Sequence, residues 1–129
     1  MSDAVRVIAS YRCRIGIHCH NDSGVAVSNT LMAVLAGAAH VQGTFNGIGE
    51  RCGNANLSTI IPNLQLKYGI QCIPQEKMEL LTPVARKIAD IENVSLPGSA
   101  PYVGVSAFAH KAGMHVDAIK NNSSTFEHV

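Results

Sequence analysis

The sequence predicts a parallel α/β fold, and three observations support this class. Two stretches alternate polar and apolar residues as strands do, and each is followed by a stretch whose apolar residues recur at helical spacing. Apolar residues make up 47% of the 129 residues and charged residues only 15%, which suits a well-buried core. Parallel strands need neighbours on both sides, so two strand–helix units would leave both sheet edges open. We therefore expect the chain to be part of a larger fold.

The first predicted strand covers residues 12–19 and follows the tail of a helix at residues 5–11. Successive side chains of a strand point to opposite sides, so even and odd positions form separate faces. The even face is polar and carries His18 and His20. The odd face is apolar and should lie under helices; it consists of Cys13, Ile15, Ile17 and Cys19. The histidines are thus expected to face a polar interior.

A turn and a helix follow this strand. Apolar residues at helical spacing predict a helix over residues 25–36, with Gly37 as its stop. The preceding turn offers Asp22 and Ser23, and we expect one of them to cap the helix. Ligands at the end of a strand, just before a helix, lie where the active sites of parallel α/β proteins are found.

The second unit repeats this order. Residues 40–46 predict a strand whose odd positions face the helix layer and whose even positions face the polar interior: Gln42, Thr44 and Asn46. Residues 54–68 predict a helix that Pro62 kinks and Gly69 ends.

The last third of the chain predicts less regular structure. Pro74 stands at a first-turn position and opens a third helix, whose apolar residues recur up to Ile91. Residues 93–101 form a linker rich in Pro, Gly and Ser. Residues 102–109 are expected to be irregular or extended, and a short helix is expected at residues 111–121.

Composition argues against two classes of partner. A formal net charge of +1, the absence of tryptophan and an aromatic content of 5% give no support for a nucleic-acid surface. The apolar stretches are interrupted well before the roughly 18 residues that a spanning helix needs, and the N-terminus does not resemble a signal peptide. The four cysteines have no C-x-x-C spacing and predict reduced thiols. We therefore expect a cytoplasmic protein that binds neither membranes nor nucleic acid.

His18 and His20 are the strongest candidates for a metal site. Two neutral imidazoles on one strand face bind the same ion when a carboxylate or amide oxygen completes the set. The alternative is that the two rings merely pack or form hydrogen bonds, since a histidine pair alone is weak evidence of metal. The pair by itself leaves both interpretations open.

Several longer stretches resemble a known enzyme family. They are His-Cys-His-Asn-Asp-Ser-Gly at residues 18–24, Gln-Gly-Thr-Phe-Asn-Gly-Ile-Gly-Glu-Arg-Cys-Gly-Asn-Ala-Asn-Leu at residues 42–57, and the segments 61–67 and 101–116. They are similar to the α-isopropylmalate, homocitrate and citramalate synthases, which are Claisen-condensing acyltransferases built on a (β/α)8 barrel. The last two segments are most similar to the citramalate synthase branch.

The resemblance implies how the chain is divided. Residues 1–92 are expected to be the C-terminal part of a (β/α)8 TIM barrel, comprising its last two strand–helix units. Residues 93–129 are expected to be a linker and the start of a post-barrel subdomain.

The resemblance also implies roles for individual residues. His18, His20 and Asn54 are expected to bind a divalent ion, Mg²⁺ or Mn²⁺ with Zn²⁺ as the alternative, which chelates the 2-oxo acid. His115 is expected to be the general base that removes a methyl proton from the co-substrate acetyl-CoA. Without the resemblance, this histidine is interpreted as structural.

The segment before Asn54 receives supporting roles. Glu50 is expected to act in catalysis through the polar shell of the site; without the resemblance it is simply an ion-pair partner of Arg51. Substrate contacts are expected from Asn46, Gly47 and Gly49, where glycines let the backbone approach the cofactor.

The implied function is condensation of acetyl-CoA with a 2-oxo acid in branched-chain amino-acid biosynthesis, with pyruvate as substrate and citramalate as product. The alternatives are a fragment of a 2-isopropylmalate or homocitrate synthase, a lyase or aldolase of the same superfamily, and an inactive remnant that acts only as an interaction piece. Nothing before Arg12 resembles the family's first-strand Arg-Asp motif, so we expect the 129 residues alone to be inactive. The full-length enzyme is expected to be a homodimer, since the family's counterpart of His115 reaches the neighbouring subunit.

Overall fold

The computed structural model describes residues 2–10 and 13–109. The chain divides into two compact units, residues 1–74 and 75–129. The domain boundary predicted after residue 92 stays a prediction.

The first unit alternates helices and strands. In chain order it contains α1 (Ser2–Ala9), β1 (Gly16–His18), α2 (Ala26–Leu35), β2 (His40–Gln42), a 3-10 turn (Phe45–Gly47) and α3 (Leu57–Pro62), which continues as a π-helical turn (Asn63–Lys67). The order confirms the predicted strand–helix alternation. The bounds differ from the prediction mainly at the strands and at the helix after residue 54.

The two strands are parallel and short. Gly16 pairs with His40, Ile17 with Val41 and His18 with Gln42. The strands predicted over residues 12–19 and 40–46 are therefore too long. The second one ends at Gln42; Thr44 then forms an isolated bridge with Asn56, and the backbone coils into the 3-10 turn, where Asn46 adopts a left-handed φ of 58°.

The predicted apolar face of the first strand is confirmed for Ile15, Ile17 and Cys19, whereas Cys13, predicted on the same face, is exposed. Cys19 is buried in a core cluster with Ala26, Ala55, Ile60 and Leu64, and Ile17 packs against the same cluster. His18 and His20 are exposed on the other face. The polar alternation of this segment therefore does separate the core from the side that carries the candidate ligands.

The helix predicted over residues 54–68 begins later and changes type. Asn56 caps it, because its Oδ1 accepts the backbone N–H of Ser58 at 3.0 Å. Pro62 has no N–H to donate to the preceding turn, and the chain widens there from α to π geometry. The expected kink is thus realised as a change in helix type.

The second unit begins with a 3-10 helix (Gln75–Leu80) and continues as α4 (Leu81–Glu92). The apolar face predicted for this segment is buried at Met78, Leu81 and Ala85, whereas Val84 and Ile91, predicted on the same face, are exposed. Asn93 ends α4 in the left-handed conformation, with φ of 56° and ψ of 40°. Turns follow up to residue 108, and the helix predicted at residues 111–121 lies outside the described residues. Among the described helices, none has the length and hydropathy needed to cross a membrane.

Candidate functional site

The two histidines lie together where β1 ends. The ring centroids of His18 and His20 are 5.1 Å apart, and the ring planes meet at 74°. Both side chains are exposed. Neither ring forms a hydrogen bond to another described residue, so their nitrogens are not engaged by that part of the chain.

Asn54 lies directly across from His20. The two residues form an isolated antiparallel bridge. The bridge is framed by two backbone hydrogen bonds, from Asn21 N to Gly53 O at 2.8 Å and from Ala55 N to Cys19 O at 2.9 Å. Residues that face each other in an antiparallel pair carry their side chains on the same side, with Cβ atoms about 4.5–5.5 Å apart. The three predicted metal ligands therefore belong to one small region, although the predicted meeting of their ligating atoms at one point stays a prediction.

The side-chain amide of Asn54 has a fixed orientation. Its Nδ2 donates to the backbone oxygen of Ile48 at 2.9 Å. A carbonyl only accepts, so this contact identifies the nitrogen and leaves Oδ1 at the other position. That Oδ1 is buried and has no hydrogen-bond partner among the described residues. A buried acceptor without a partner costs about 1–3 kcal/mol, and a coordinated cation removes that cost. The donor set of two imidazoles and one amide oxygen thus fits a divalent ion.

The glycines of the β2–α3 loop, residues 43–56, make room for the loop itself. A Cβ atom built on Gly49 would overlap Asn54 Nδ2 and stand 2.9 Å from Asn54 Cγ. A Cβ on Gly53, where φ is +88°, would overlap the backbone oxygen of Gly47. Gly47 itself has φ of +72° and lies against Asn54 O, 3.3 Å from its hypothetical Cβ. These contacts show that the loop itself needs glycine at the three positions, and their predicted approach to the cofactor stays a prediction.

Arg51 forms its main ion pair with Asp22. Its Nε lies 2.8 Å from Oδ1 and its Nη2 lies 3.0 Å from Oδ2, a two-point contact between the loops that follow the two strands. The hydrogen bond from Arg51 lowers the pKa of Asp22 below its ordinary value. Glu50 is 86% exposed and lies 3.8 Å from Arg51 Nη1, a weaker pairing. Its predicted supporting role in catalysis stays a prediction.

The predicted cap of α2 is wrong. Neither Asp22 nor Ser23 accepts a hydrogen bond from the start of this helix; the Oδ1 of Asn21 accepts the N–H of Ala26 at 3.1 Å instead. Asp22 is engaged by Arg51, 29 positions further along the chain. A local capping pattern gave no sign of such a distant partner.

The remaining predicted site residues are placed as follows. Asn46 lies in the 3-10 turn with its Oδ1 buried, and its substrate contact stays a prediction. His115 lies outside the described residues. Within residues 2–10 and 13–109, no three His, Cys, Asp or Glu side chains form a metal-binding group. The structure gives a specific contact to Thr44, which the sequence placed only on the polar face of the second strand: its hydroxyl donates to Ile48 O at 2.5 Å.

Two family models match the chain. The model described as HMGL-like matches residues 1–94, and the model described as homocitrate synthase post-HMGL domain-like matches residues 102–129. Residues 95–101, most of the predicted linker, lie between the two matches.

Similar curated proteins are much longer than this chain. An (R)-citramalate synthase from Aquifex aeolicus is 61% identical over 115 residues, which are 89% of this chain and 22% of that protein. A probable 2-isopropylmalate synthase from Methanosarcina acetivorans is 43% identical over 121 residues, 94% of this chain and 23% of that protein. The chain thus spans less than a quarter of the relatives it matches.

A solved structure shares the fold. An HMG-CoA lyase from Acinetobacter baumannii, in complex with coenzyme A and 3-methylmalate, matches with a TM-score of 0.64 at 21% sequence identity. The match covers 86% of this chain and 38% of that one. The predicted fold class, the C-terminal part of a (β/α)8 barrel, is confirmed. The predicted resemblance to the citramalate and isopropylmalate synthases is confirmed as well.

Proposed function

Because the chain belongs to the HMGL-like family, we propose that it is a segment of a metal-dependent acyltransferase that condenses acetyl-CoA with a 2-oxo acid. The observation that carries this proposal is the bridge between His20 and Asn54, with His18 beside it and an unpartnered amide oxygen on Asn54. These groups lie where the two parallel strands end, as active sites of barrel enzymes do.

The proposed site divides its work among the residues of this chain. His18, His20 and Asn54 would hold Mg²⁺ or Mn²⁺, and the ion would polarise the ketone of the 2-oxo acid as a Lewis acid. Glu50 supports the polar surroundings of the site, and three residues contact substrate: Asn46, Gly47 and Gly49. His115 accepts a methyl proton from acetyl-CoA, a task suited to a base that titrates near neutral pH.

Pyruvate is the proposed 2-oxo acid, with citramalate as the product on the route to isoleucine. Sequence identity supports this choice, because it reaches 61% with a citramalate synthase and 43% with a probable 2-isopropylmalate synthase.

Localisation and oligomeric state are part of the same proposal. The four cysteines are free thiols, which supports a cytoplasmic enzyme. The full-length protein is proposed to be a homodimer.

A hybrid enzyme tests the proposal. In this hybrid, the chain replaces the matching segment of the (R)-citramalate synthase from Aquifex aeolicus. With pyruvate and acetyl-CoA, the hybrid should release free CoA only when Mg²⁺ or Mn²⁺ is present. The 129-residue chain assayed alone should release none.

Two outcomes would contradict the proposal. A hybrid that melts like the parent enzyme but releases no CoA would favour the inactive interaction piece. Release of CoA without added metal would mean that His18, His20 and Asn54 do not hold a catalytic ion.

A parallel hybrid tests which 2-oxo acid is the substrate. In it, the chain replaces the matching segment of the 2-isopropylmalate synthase, and the assay uses 2-oxoisovalerate. If that hybrid is the more active relative to its parent, the isopropylmalate alternative is favoured.

A further inference from the structure

The backbone oxygen of Ile48 is a hydrogen-bond acceptor shared by two side chains of the β2–α3 loop. It accepts the hydroxyl of Thr44 at 2.5 Å and the Nδ2 of Asn54 at 2.9 Å. A backbone oxygen has two lone pairs, so these two donors satisfy it fully. The carbonyl therefore cannot move toward another donor without losing one of them.

We propose that Thr44 is a positioning residue for the metal site: its hydroxyl fixes Ile48 O, and Ile48 O in turn fixes the Asn54 amide with Oδ1 left for the ion. The inference rests on the proposed function, because it assigns the ligand role to Asn54. Groups that hold a metal ligand in place are a regular part of metal sites and influence affinity strongly.

The backbone of Thr44 is itself anchored on both sides. Its N–H donates to Ala55 O at 3.0 Å, and its carbonyl accepts the N–H of Leu57 at 2.9 Å. It also forms an isolated parallel bridge with Asn56. The backbone from which the hydroxyl extends is therefore fixed, and the hydrogen bond of the hydroxyl fixes Ile48 O relative to it.

Gly49 lies close to the same Asn54 amide. A side chain there would overlap the Asn54 amide. The amide thus contacts the Ile48 carbonyl through Nδ2 and lies against the bare backbone of Gly49 near the same nitrogen. These two contacts select one orientation of Asn54 before an ion arrives, which is the condition for a ligand that binds without reorganising.

The test compares two matched threonine variants in the hybrid enzyme. Thr44→Val removes the hydroxyl that donates to Ile48 O. Thr30→Val removes an equivalent bond, in which Thr30 Oγ1 donates to Ala26 O at 2.8 Å inside α2. Each change deletes one hydrogen bond from a hydroxyl to a backbone carbonyl four positions away. Only the carbonyl that Thr44 contacts also accepts the Asn54 amide. Mn²⁺ affinity is measured by the loss of the free-ion signal in electron paramagnetic resonance, and thermal unfolding is followed without metal.

We expect Thr44→Val to weaken Mn²⁺ binding by about tenfold, Thr30→Val to leave it unchanged, and Thr44→Ser to restore it. Both valine variants should lower the melting temperature of the metal-free protein. Equal Mn²⁺ affinities in Thr44→Val and Thr30→Val would overturn the inference, and so would a Thr44→Ser variant as weak as Thr44→Val. A hybrid that binds no Mn²⁺ before any substitution would overturn the proposed function together with the inference.

Discussion

The loops that follow the two strands contribute to the same candidate site in different ways. The β1–α2 loop, residues 19–25, is short, and its inner contacts are a turn from Gly24 N to Asn21 O at 2.8 Å and the cap on Ala26. The β2–α3 loop is longer and is bonded to itself by backbone contacts such as Asn54 N to Gly47 O at 3.0 Å. The histidine rings have no hydrogen bond to described residues, whereas the Asn54 amide has one that fixes it.

This difference separates two ways of placing a ligand. His18 belongs to β1 and His20 follows it closely, so their side is set by strand alternation and requires no further support. The position of Asn54 depends on a loop whose shape needs several glycines and side-chain bonds. Changes in the β2–α3 loop at residues other than Asn54 should therefore disturb the metal site, while changes in the β1–α2 loop at residues other than His20 should affect stability alone.

The largest expected effects come from the reacting groups. In the hybrid enzyme, His115→Ala should lower turnover by roughly 10² to 10⁴ while binding of the 2-oxo acid stays nearly intact, because loss of a general base acts on the transition state. His18→Ala should weaken both Mn²⁺ binding and 2-oxo acid binding. Steady-state kinetics and Mn²⁺ titration distinguish the two.

The two histidine variants check each other. If His115→Ala keeps normal turnover, or loses 2-oxo acid affinity as strongly as His18→Ala does, its assignment as base is wrong. If His18→Ala binds Mn²⁺ as the parent hybrid does, His18 is not a metal ligand. The proposed difference between a ligand placed by a strand and one placed by a loop is then wrong.

An intermediate effect is expected from Gly49→Ala. The added Cβ would overlap Asn54 Nδ2, so the amide must turn away, and Mn²⁺ affinity should fall by about 10- to 100-fold. Gly24→Ala is the control in the other loop. Gly24 has φ of +72° with nothing within 4 Å of a hypothetical Cβ, so alanine there should lower the melting temperature through backbone strain and leave Mn²⁺ affinity unchanged.

Equal Mn²⁺ affinities in Gly49→Ala and Gly24→Ala would show that the crowding at Asn54 is relieved by small backbone shifts. In that case the β2–α3 loop is no more specialised than the β1–α2 loop. Titration of Mn²⁺ against both variants, with melting curves recorded without metal, decides the matter.

The same contrast explains what the sequence could predict. The side on which His18 and His20 lie follows from a period of two, which is a local property and was predicted correctly. The length of the second strand could not be predicted, because its alternation continues to Asn46 although its pairing with the first strand ends at Gln42 and Thr44 bridges to Asn56 instead. The orientation of Asn54 depends on its bond to Ile48 O, which Thr44 also contacts, and on the absence of a side chain at Gly49. Residue spacing in the sequence does not reveal such contacts.

The capping error has a related cause. Asp22 has the composition of a helix cap, and nothing near it in sequence argues against that role. A guanidinium 29 positions away offers two hydrogen bonds, and the neighbouring Asn21 takes the cap instead. Helix-capping preferences compare the residues of one turn, but they cannot account for a partner that is distant in sequence and close only in the folded protein.

The smallest expected effect concerns the ion pair that joins the two loops. Asp22→Asn removes the charge that faces Arg51, and both side chains are about half exposed, at 48% and 52%. Solvent and salt screen such a pair, so the variant should lower the melting temperature of the hybrid slightly at neutral pH and leave Mn²⁺ affinity nearly unchanged.

The pH dependence of this effect follows from the pKa of Asp22. Arg51 lowers the pKa of Asp22 below its ordinary value of 3.8, and His20 adds a smaller contribution in the same direction. A carboxylate whose pKa is lower in the folded state stabilises the protein fully above its ordinary pKa, and this stabilisation is lost as pH falls through the lower folded-state pKa. The difference in melting temperature between the hybrid and its Asp22→Asn variant should therefore be constant from pH 7 to about pH 5 and shrink below pH 4. High salt at pH 7 should reduce it as well. A difference that grows as the pH falls would mean that Asp22 does not act through its charge, and a loss of Mn²⁺ affinity in this variant would mean that the link between the loops, and not the β2–α3 loop alone, positions Asn54.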